Sequence, residues 1–204
     1  MPDTNNVELI DVFNENMERH PYPVSEDRLN MTDLKPAIAR VWCYRGGDLV
    51  FQDRTNRDGK LNPCGDRYIR HGETPLNAAV KAVEDITGET PDTAEMLCAG
   101  AVPDELRNAF AILFVWMPDK KRWPKFRHDG VAQWFAVDPA AYEKLLDGSQ
   151  SQIRTSVHTV WPDGSDVTCG ADVAAGRFES LSPEEYMLIQ SVREKLLKIR
   201  PRID

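Results

Sequence analysis

The sequence predicts a mixed α/β protein in which helices pack on a mixed β-sheet. Three observations predict it. Apolar, β-branched and aromatic runs punctuated by Gly and Pro dominate the front of the chain. One well-marked helical segment, residues 74–88, sits between such runs. Two further helical segments, opening at Asp138 and at Ser182, close the chain.

Each element has a local reason. "VELIDVFNEN" alternates loosely and reads as a short first strand. "RHPYPVSEDRLNMTDLKP" is polar and rich in turn formers, so it reads as a long loop or a loop with one helical turn. "AIARVWCYR" and "DLVFQDRT" form a hairpin, with Gly46-Gly47 supplying the positive φ values of a tight turn. "NRDGKLNPCGDRY" reads as a second turn region, punctuated by Asp58-Gly59 and Pro63. In "TPLNAAVKAVEDIT", Thr74 is the N-cap, Pro75 fits the first helical position, and Gly88 ends the helix.

"EMLCAGAV", "NAFAILFVWM" and "AQWFAV" read as strands, and Asp138 with Pro139 starts the helix "PAAYEKLLDG". "IRTSVHTVW" and "SDVTC" bracket Pro162-Asp163-Gly164 as a late hairpin. Ser182, Pro183 and Glu185 give the start of a capping box for the last helix. Tyr186, Ile189, Val192, Leu196 and Ile199 then space its apolar face.

Composition narrows the function classes. The 204 residues suit one domain, 41% hydrophobic and 28% charged, large enough to bury a core without staples. A net charge of −8 argues against general nucleic-acid binding, which needs many Lys and Arg, but leaves room for a small anionic ligand. Cys43, Cys64, Cys98 and Cys169 form no C-x-x-C pair. Three of the four lie in apolar or strand-like surroundings, which predicts buried, reduced thiols. There is no signal-peptide pattern and no apolar run of membrane-spanning length, so a cytoplasmic location is expected.

"HGETPLNAAVKAVEDITGE", His71 to Glu89, resembles the Nudix box, the loop-helix-loop signature G-x5-E-x7-R-E-U-x-E-E-x-G-U with U bulky and apolar. Gly72-Glu73-Thr74-Pro75 matches its loop, and Gly88 falls at the correct distance from Glu73. The upstream hairpin ending in Arg54 and the later "VAQWFAVDPAAYEKLL" follow the family's order. "ELIDVFNENMERH" is similar to the opening of the isomerase-like subgroup. The resemblance covers roughly residues 7–147, with a hairpin and helix at about 151–200 completing a single domain over 1–204. It implies a Nudix-like mixed β-sheet sandwich between helices. It also implies attack of water on a nucleoside diphosphate-linked compound, with Mg²⁺ or Mn²⁺ held by the box carboxylates.

Such a reaction uses metal to neutralise the diphosphate and activate water, and Mg²⁺ takes oxygen ligands, commonly a couple of carboxylates. A helix offers carboxylates on one face at i, i+3 and i+4. Counting from Glu73, the Arg position of the box holds Lys81. The three Glu positions hold Ala82, Asp85 and Ile86. Glu84 lies about 100° around the helix from Asp85 and does not replace a lost ligand. The first Gly position of the box holds Arg67, and Gly65 stands two residues earlier. The candidate catalytic and metal residues are therefore Glu73 and Asp85, and the resemblance implies that Glu73 chiefly ties the loop to the helix. Arg54, Arg67 and Arg70 flank the box and are the candidates to bind the diphosphate, although structural ion pairs would use them equally well. The resemblance also implies an extra acid from a later segment, for which Asp104, Glu105 and Asp129 are the candidates, each otherwise read as a surface-loop residue.

Two more segments bear on function. Asn62-Pro63-Cys64-Gly65 is distantly similar to the catalytic Cys segment of isopentenyl diphosphate isomerases, but Asp66 stands where that family has His, and "DELRNAFAIL" lacks its E-N-E segment. "DKKRWPKFRHDG" gathers Lys120, Lys121, Arg122, Lys125 and Arg127 with Trp123 and Phe126, either as a solvated loop or as a phosphate- and base-binding patch. Two main readings follow: a divergent metal-dependent hydrolase of a small diphosphate compound, or a Nudix-fold module that binds such a ligand without turning it over. Isomerase chemistry is a minor third. No membrane partner is expected, and a homodimer is left open.

Overall fold

The computed structural model describes residues 8–53, 60–63, 65–118, 132–179 and 182–199. In chain order the strands and helices are β1 (Leu9–Ile10), β2 (Val12–Phe13), β3 (Val24–Ser25), β4 (Lys35–Arg45), β5 (Asp48–Asp53), β6 (Leu61–Asn62), β7 (Gly65–Tyr68), α1 (Pro75–Thr87), β8 (Met96–Asp104), β9 (Ala109–Trp116), β10 (Ala132–Val137), α2 (Pro139–Leu146), β11 (Gln152–Val160), β12 (Asp166–Ala174) and α3 (Pro183–Ile199). The class is the one expected, a mixed sheet with helices on both faces. Its main path runs β12-β11-β10-β5-β4-β9-β8, parallel only at β4–β9 among the described residues.

β4 is the spine, and its alternation sorts the core into two layers. Ala37, Ala39, Val41 and Cys43 meet Ala78, Ala79, Ala82 and Val83 of α1. Ile38, Trp42 and Tyr44 face the opposite way, into a larger cluster with Tyr142 of α2 and Tyr186, Ile189 and Val192 of α3. The β4–β5 turn uses the two glycines as expected, at φ 60° and 99°.

Several expectations change. The first strand is two short ones: β1 pairs with β3, and β2 with β4. The long polar segment contains β3 and a 3₁₀ helix, Glu26–Met31. The second turn region carries β6 and β7, and β7 pairs with the middle of β4. Its four residues were hidden by their polarity: Gly65, Asp66 and Arg67 lack the apolar alternation that marks a strand. Cys43 is buried as expected, whereas Cys98 and Cys169 are exposed, because β8 and β12 are the outer strands of the sheet path. Cys64 lies outside the described residues.

The last helix is capped differently from the predicted box. Ser182 Oγ accepts the Glu185 backbone N–H at 3.0 Å, but the Glu185 side chain turns into the sheet. There it accepts from Trp42 Nε1 at 2.8 Å and pairs with Arg40 at 3.1 Å. Arg40 also pairs with Asp104, which corrects the reading of Asp104 as a surface-loop acid. All three ionic side chains are at least nine-tenths buried. Burial raises the Glu185 carboxyl above its ordinary range, an effect that Arg40 and Trp42 only partly offset.

Removing one partner of a buried pair strands the other charge, at a cost of about 3–5 kcal/mol. Glu185→Ala is therefore expected to lower unfolding stability by that order in urea titrations. A loss below about 1 kcal/mol would show that Arg40 does not depend on α3.

Candidate functional site

The box segment folds as its residues dictate. Thr74 Oγ1 accepts the Asn77 N–H at 3.2 Å, and Pro75 occupies the first turn of α1. Gly88 ends the helix in the left-handed region at φ 70°, its N–H reaching Glu84 O at 2.8 Å. The helix sits directly on β7. A Cβ at Gly65 would lie 2.8 Å from the Ala82 backbone oxygen and 3.2 Å from its Cβ. Ala82, at the first Glu position of the box, is thus sealed between helix and strand at 2% exposure. Ile86, at the third, packs on the same apolar layer.

Glu73 is only 8% exposed and fully engaged. One carboxylate oxygen accepts from Lys81 at 2.9 Å, and the other accepts the Arg70 backbone N–H at 3.2 Å. Burial raises its carboxyl, but the Lys81 bond, the Arg70 N–H and the Arg67 charge outweigh that and hold it below the usual carboxylate value. Arg67 lies between two acids, 3.3 Å from Asp85 and 3.8 Å from Glu73. The Asp85 side chain is 57% exposed.

Among the described residues, no strand pairs along the second edge of β7. A cleft of about 330 Å³ opens there, lined by Glu8, Ile10, Glu26, Ile38, Asp66, Arg67, Tyr68, Arg70, Asp85 and Arg107. That volume is at the lower end of small-molecule sites. Of the five residues singled out from the sequence, Arg67, Arg70 and Asp85 line this cleft; Glu73 is not among its lining residues, and Arg54 lies outside the described residues. Arg70 pairs with Glu8, and Arg107 with Asp66 and with Glu179 at 3.2 Å. Asp104 is held by Arg40, and Glu105 is exposed. Asp129 and the basic run at 120–127 lie outside the described residues.

Asp66 and Arg107 were missed, and only Asp66 carried a signal. Once "GDRY" is read as a strand, Asp66 and Arg67 must point to opposite faces. Arg107 comes from the β8–β9 turn, and Glu8 and Glu26 from the N-terminal segment. Only the tertiary fold brings those three to the cleft.

The donors do not fit a Mg²⁺ or Mn²⁺ shell. Such ions take several oxygens with unblocked lone pairs. Here Glu73 is hydrogen-bonded on both oxygens, Asp85 faces a guanidinium, and the other two box positions are apolar and packed. No three His, Cys, Asp or Glu side chains gather to hold a metal ion among the described residues. No helix among them is long and apolar enough to cross a membrane.

No protein-family model matches the chain, and no curated protein matches it. Solved structures do. DR0079 from Deinococcus radiodurans superposes with a TM-score of 0.53 at 15% identity, over 69% of this chain and 90% of that one. Tm1382, described as a candidate Nudix hydrolase, gives 0.47 at 16% identity over 68% and 80%. The T. brucei MERS1 protein gives 0.39 at 15% identity, over 45% of this chain and 42% of that one, so the chain spans under half its length. The DR0079 likeness is one of fold alone.

Two outcomes follow. Gly65→Ala is expected to cost about 1–3 kcal/mol of stability, because strand or helix must shift to admit the methyl group; an unchanged urea midpoint would place the two farther apart. Glu73 has a folded value below its unfolded one, so its contribution is complete above the usual carboxylate range and fades as pH falls through the lowered value. Glu73→Gln is expected to lose stability at neutral pH and to narrow its deficit in acid, measured as melting temperature against pH.

Proposed function

We propose that this chain is a Nudix-fold module that binds a small diphosphate-bearing ligand in the β7 cleft, without metal-dependent turnover. One observation carries the reading. The two carboxylates left from the box are engaged by Arg67 and Lys81, while Arg67 and Arg70 line the cleft. Guanidinium groups bind phosphate oxygens in a forked geometry and gain strength when partly desolvated. Arg70 is 43% exposed and paired with Glu8, so exchanging that carboxylate for a phosphate costs little. The rigid aromatic Tyr68 and the apolar Ile10 and Ile38 offer a wall for the rest of the ligand.

The second reading, a divergent hydrolase, draws on one specific feature. Glu8, Glu26 and Asp66 line the same cleft as the half-exposed Asp85.

The two readings part in one experiment. Calorimetry with pyrophosphate and a nucleoside diphosphate sugar, in chelator, is expected to show binding that Arg70→Ala weakens about tenfold, the scale of one charge-assisted hydrogen bond. Turnover of the same compounds with Mg²⁺ or Mn²⁺ is expected to be nil. Turnover abolished by Asp85→Asn would establish the hydrolase instead, and no binding with or without metal would remove both.

A further inference from the structure

We infer that a cavity beside α2 is a second binding site, suited to a small zwitterion with an apolar body, the chemistry of a free α-amino acid such as phenylalanine. The cavity measures about 280 Å³ and shares no lining residue with the β7 cleft. Helix α2 supplies Tyr142, Leu145 and Leu146, the segment after β12 supplies Phe178 and Glu179, and Lys60 stands just before β6. Tyr142 and Phe178 belong to the core layer opposite α1, so this site is on the face of the sheet away from α1.

Two opposite charges stand in a largely apolar lining, Lys60 and Glu179. Glu179 is fixed from two sides: its backbone N–H donates to Leu61 O at 2.9 Å, and its Oε1 accepts from Arg107 at 3.2 Å. Its Oε2 is buried with no hydrogen-bond partner among the described residues. A buried carboxylate oxygen is costly to leave unbonded, so this one calls for a donor from outside the chain. The last torsion of a Glu side chain is soft, and a modest turn presents Oε2 to the cavity. The rings of Tyr142 and Phe178 meet edge to face with centroids 5.3 Å apart, and aromatic faces attract an ammonium group. Burial first, then the nearby Glu185, Tyr186 and Glu179, push the Tyr142 phenol up, so it stays neutral and adds no competing charge. The exposed Lys60 donates to a carboxylate and repels a plain amine. A ligand carrying both charges therefore satisfies both ends, with its apolar part on Leu145, Leu146 and Phe178. The volume falls just below the usual range for drug-sized ligands, which suits a molecule the size of one amino acid.

The test is calorimetry of the whole chain with L-phenylalanine, phenethylamine and 3-phenylpropionate, with methyl NMR of Leu145 and Leu146 to locate the ligand. No phosphate compound is present, so the result does not depend on whether the β7 cleft binds diphosphates. Phenylalanine is expected to bind saturably, to shift both leucines, and to exceed each single-charge analogue about tenfold, the scale of one charge-assisted hydrogen bond. Glu179→Gln is expected to weaken phenylalanine by a similar factor. Lys60→Gln, at an exposed position, covers the case in which the Glu179 variant fails to fold: it is expected to weaken phenylalanine about fivefold and to leave phenethylamine no weaker. No saturable binding of phenylalanine, binding that leaves Leu145 and Leu146 unmoved, or an amine that binds as tightly as phenylalanine would overturn the inference. So would Lys60→Gln that folds and binds phenylalanine as wild type does.

Discussion

The contact between Gly65 and Ala82 fixes the geometry on which the cleft depends. With no side chain on the strand and a methyl group on the helix, backbone approaches backbone and α1 lies flat on β7. That closeness sets Arg67 between the loop acid and the helix acid. It also makes Ala82 a packing position. Close packing in protein interiors leaves little slack, so a seat of this kind admits few side chains at either position. The small side chain of Ala82 and the direct docking of the helix are two descriptions of one fact.

On the other face of β4 the same logic runs through charge instead of shape. Arg40 shares a face with Ile38 and Trp42 on a strand that is otherwise apolar between Lys35 and Arg45, and its charge is buried only because Asp104 and Glu185 come to it. Arg107 then links Asp104 and Asp66 to Glu179, so the buried network reaches the edge of the cleft. Ion pairs of this kind contribute little net stability compared with apolar packing, but they penalise every arrangement that leaves one member alone. They specify where α3 and the β8–β9 turn must sit.

Much of the fold was legible in the sequence because its signals are local. Thr74 with Pro75, Asp138 with Pro139, and Gly46-Gly47 each encode a helix start or a turn through hydrogen bonds and φ angles close to themselves. β7 was not legible, since its four residues gain their extended form from β4 rather than from their own pattern. The candidate site was half legible for the same reason. The spacing from Glu73 picked out Asp85 together with the apolar Ala82 and Ile86. The partners that decide what those acids can do, Arg67 above all, depend on strand register and helix docking, which no spacing rule reports. Glu185 illustrates the limit well: a capping-box position in sequence, it serves the core because a buried guanidinium and an indole N–H compete for the same carboxylate.

That use of Glu185 has a consequence for the order of assembly. Arg40 lies on the central strand, yet its partner stands 145 residues further along the chain. During synthesis the sheet's spine emerges long before its charge can be neutralised from α3, and closing so long a loop is entropically costly. Until then Asp104 is the nearer of the two partners, 64 residues away. α3 therefore brings Arg40 the more distant in sequence of its two acidic partners, and its docking is electrostatic as much as it is hydrophobic.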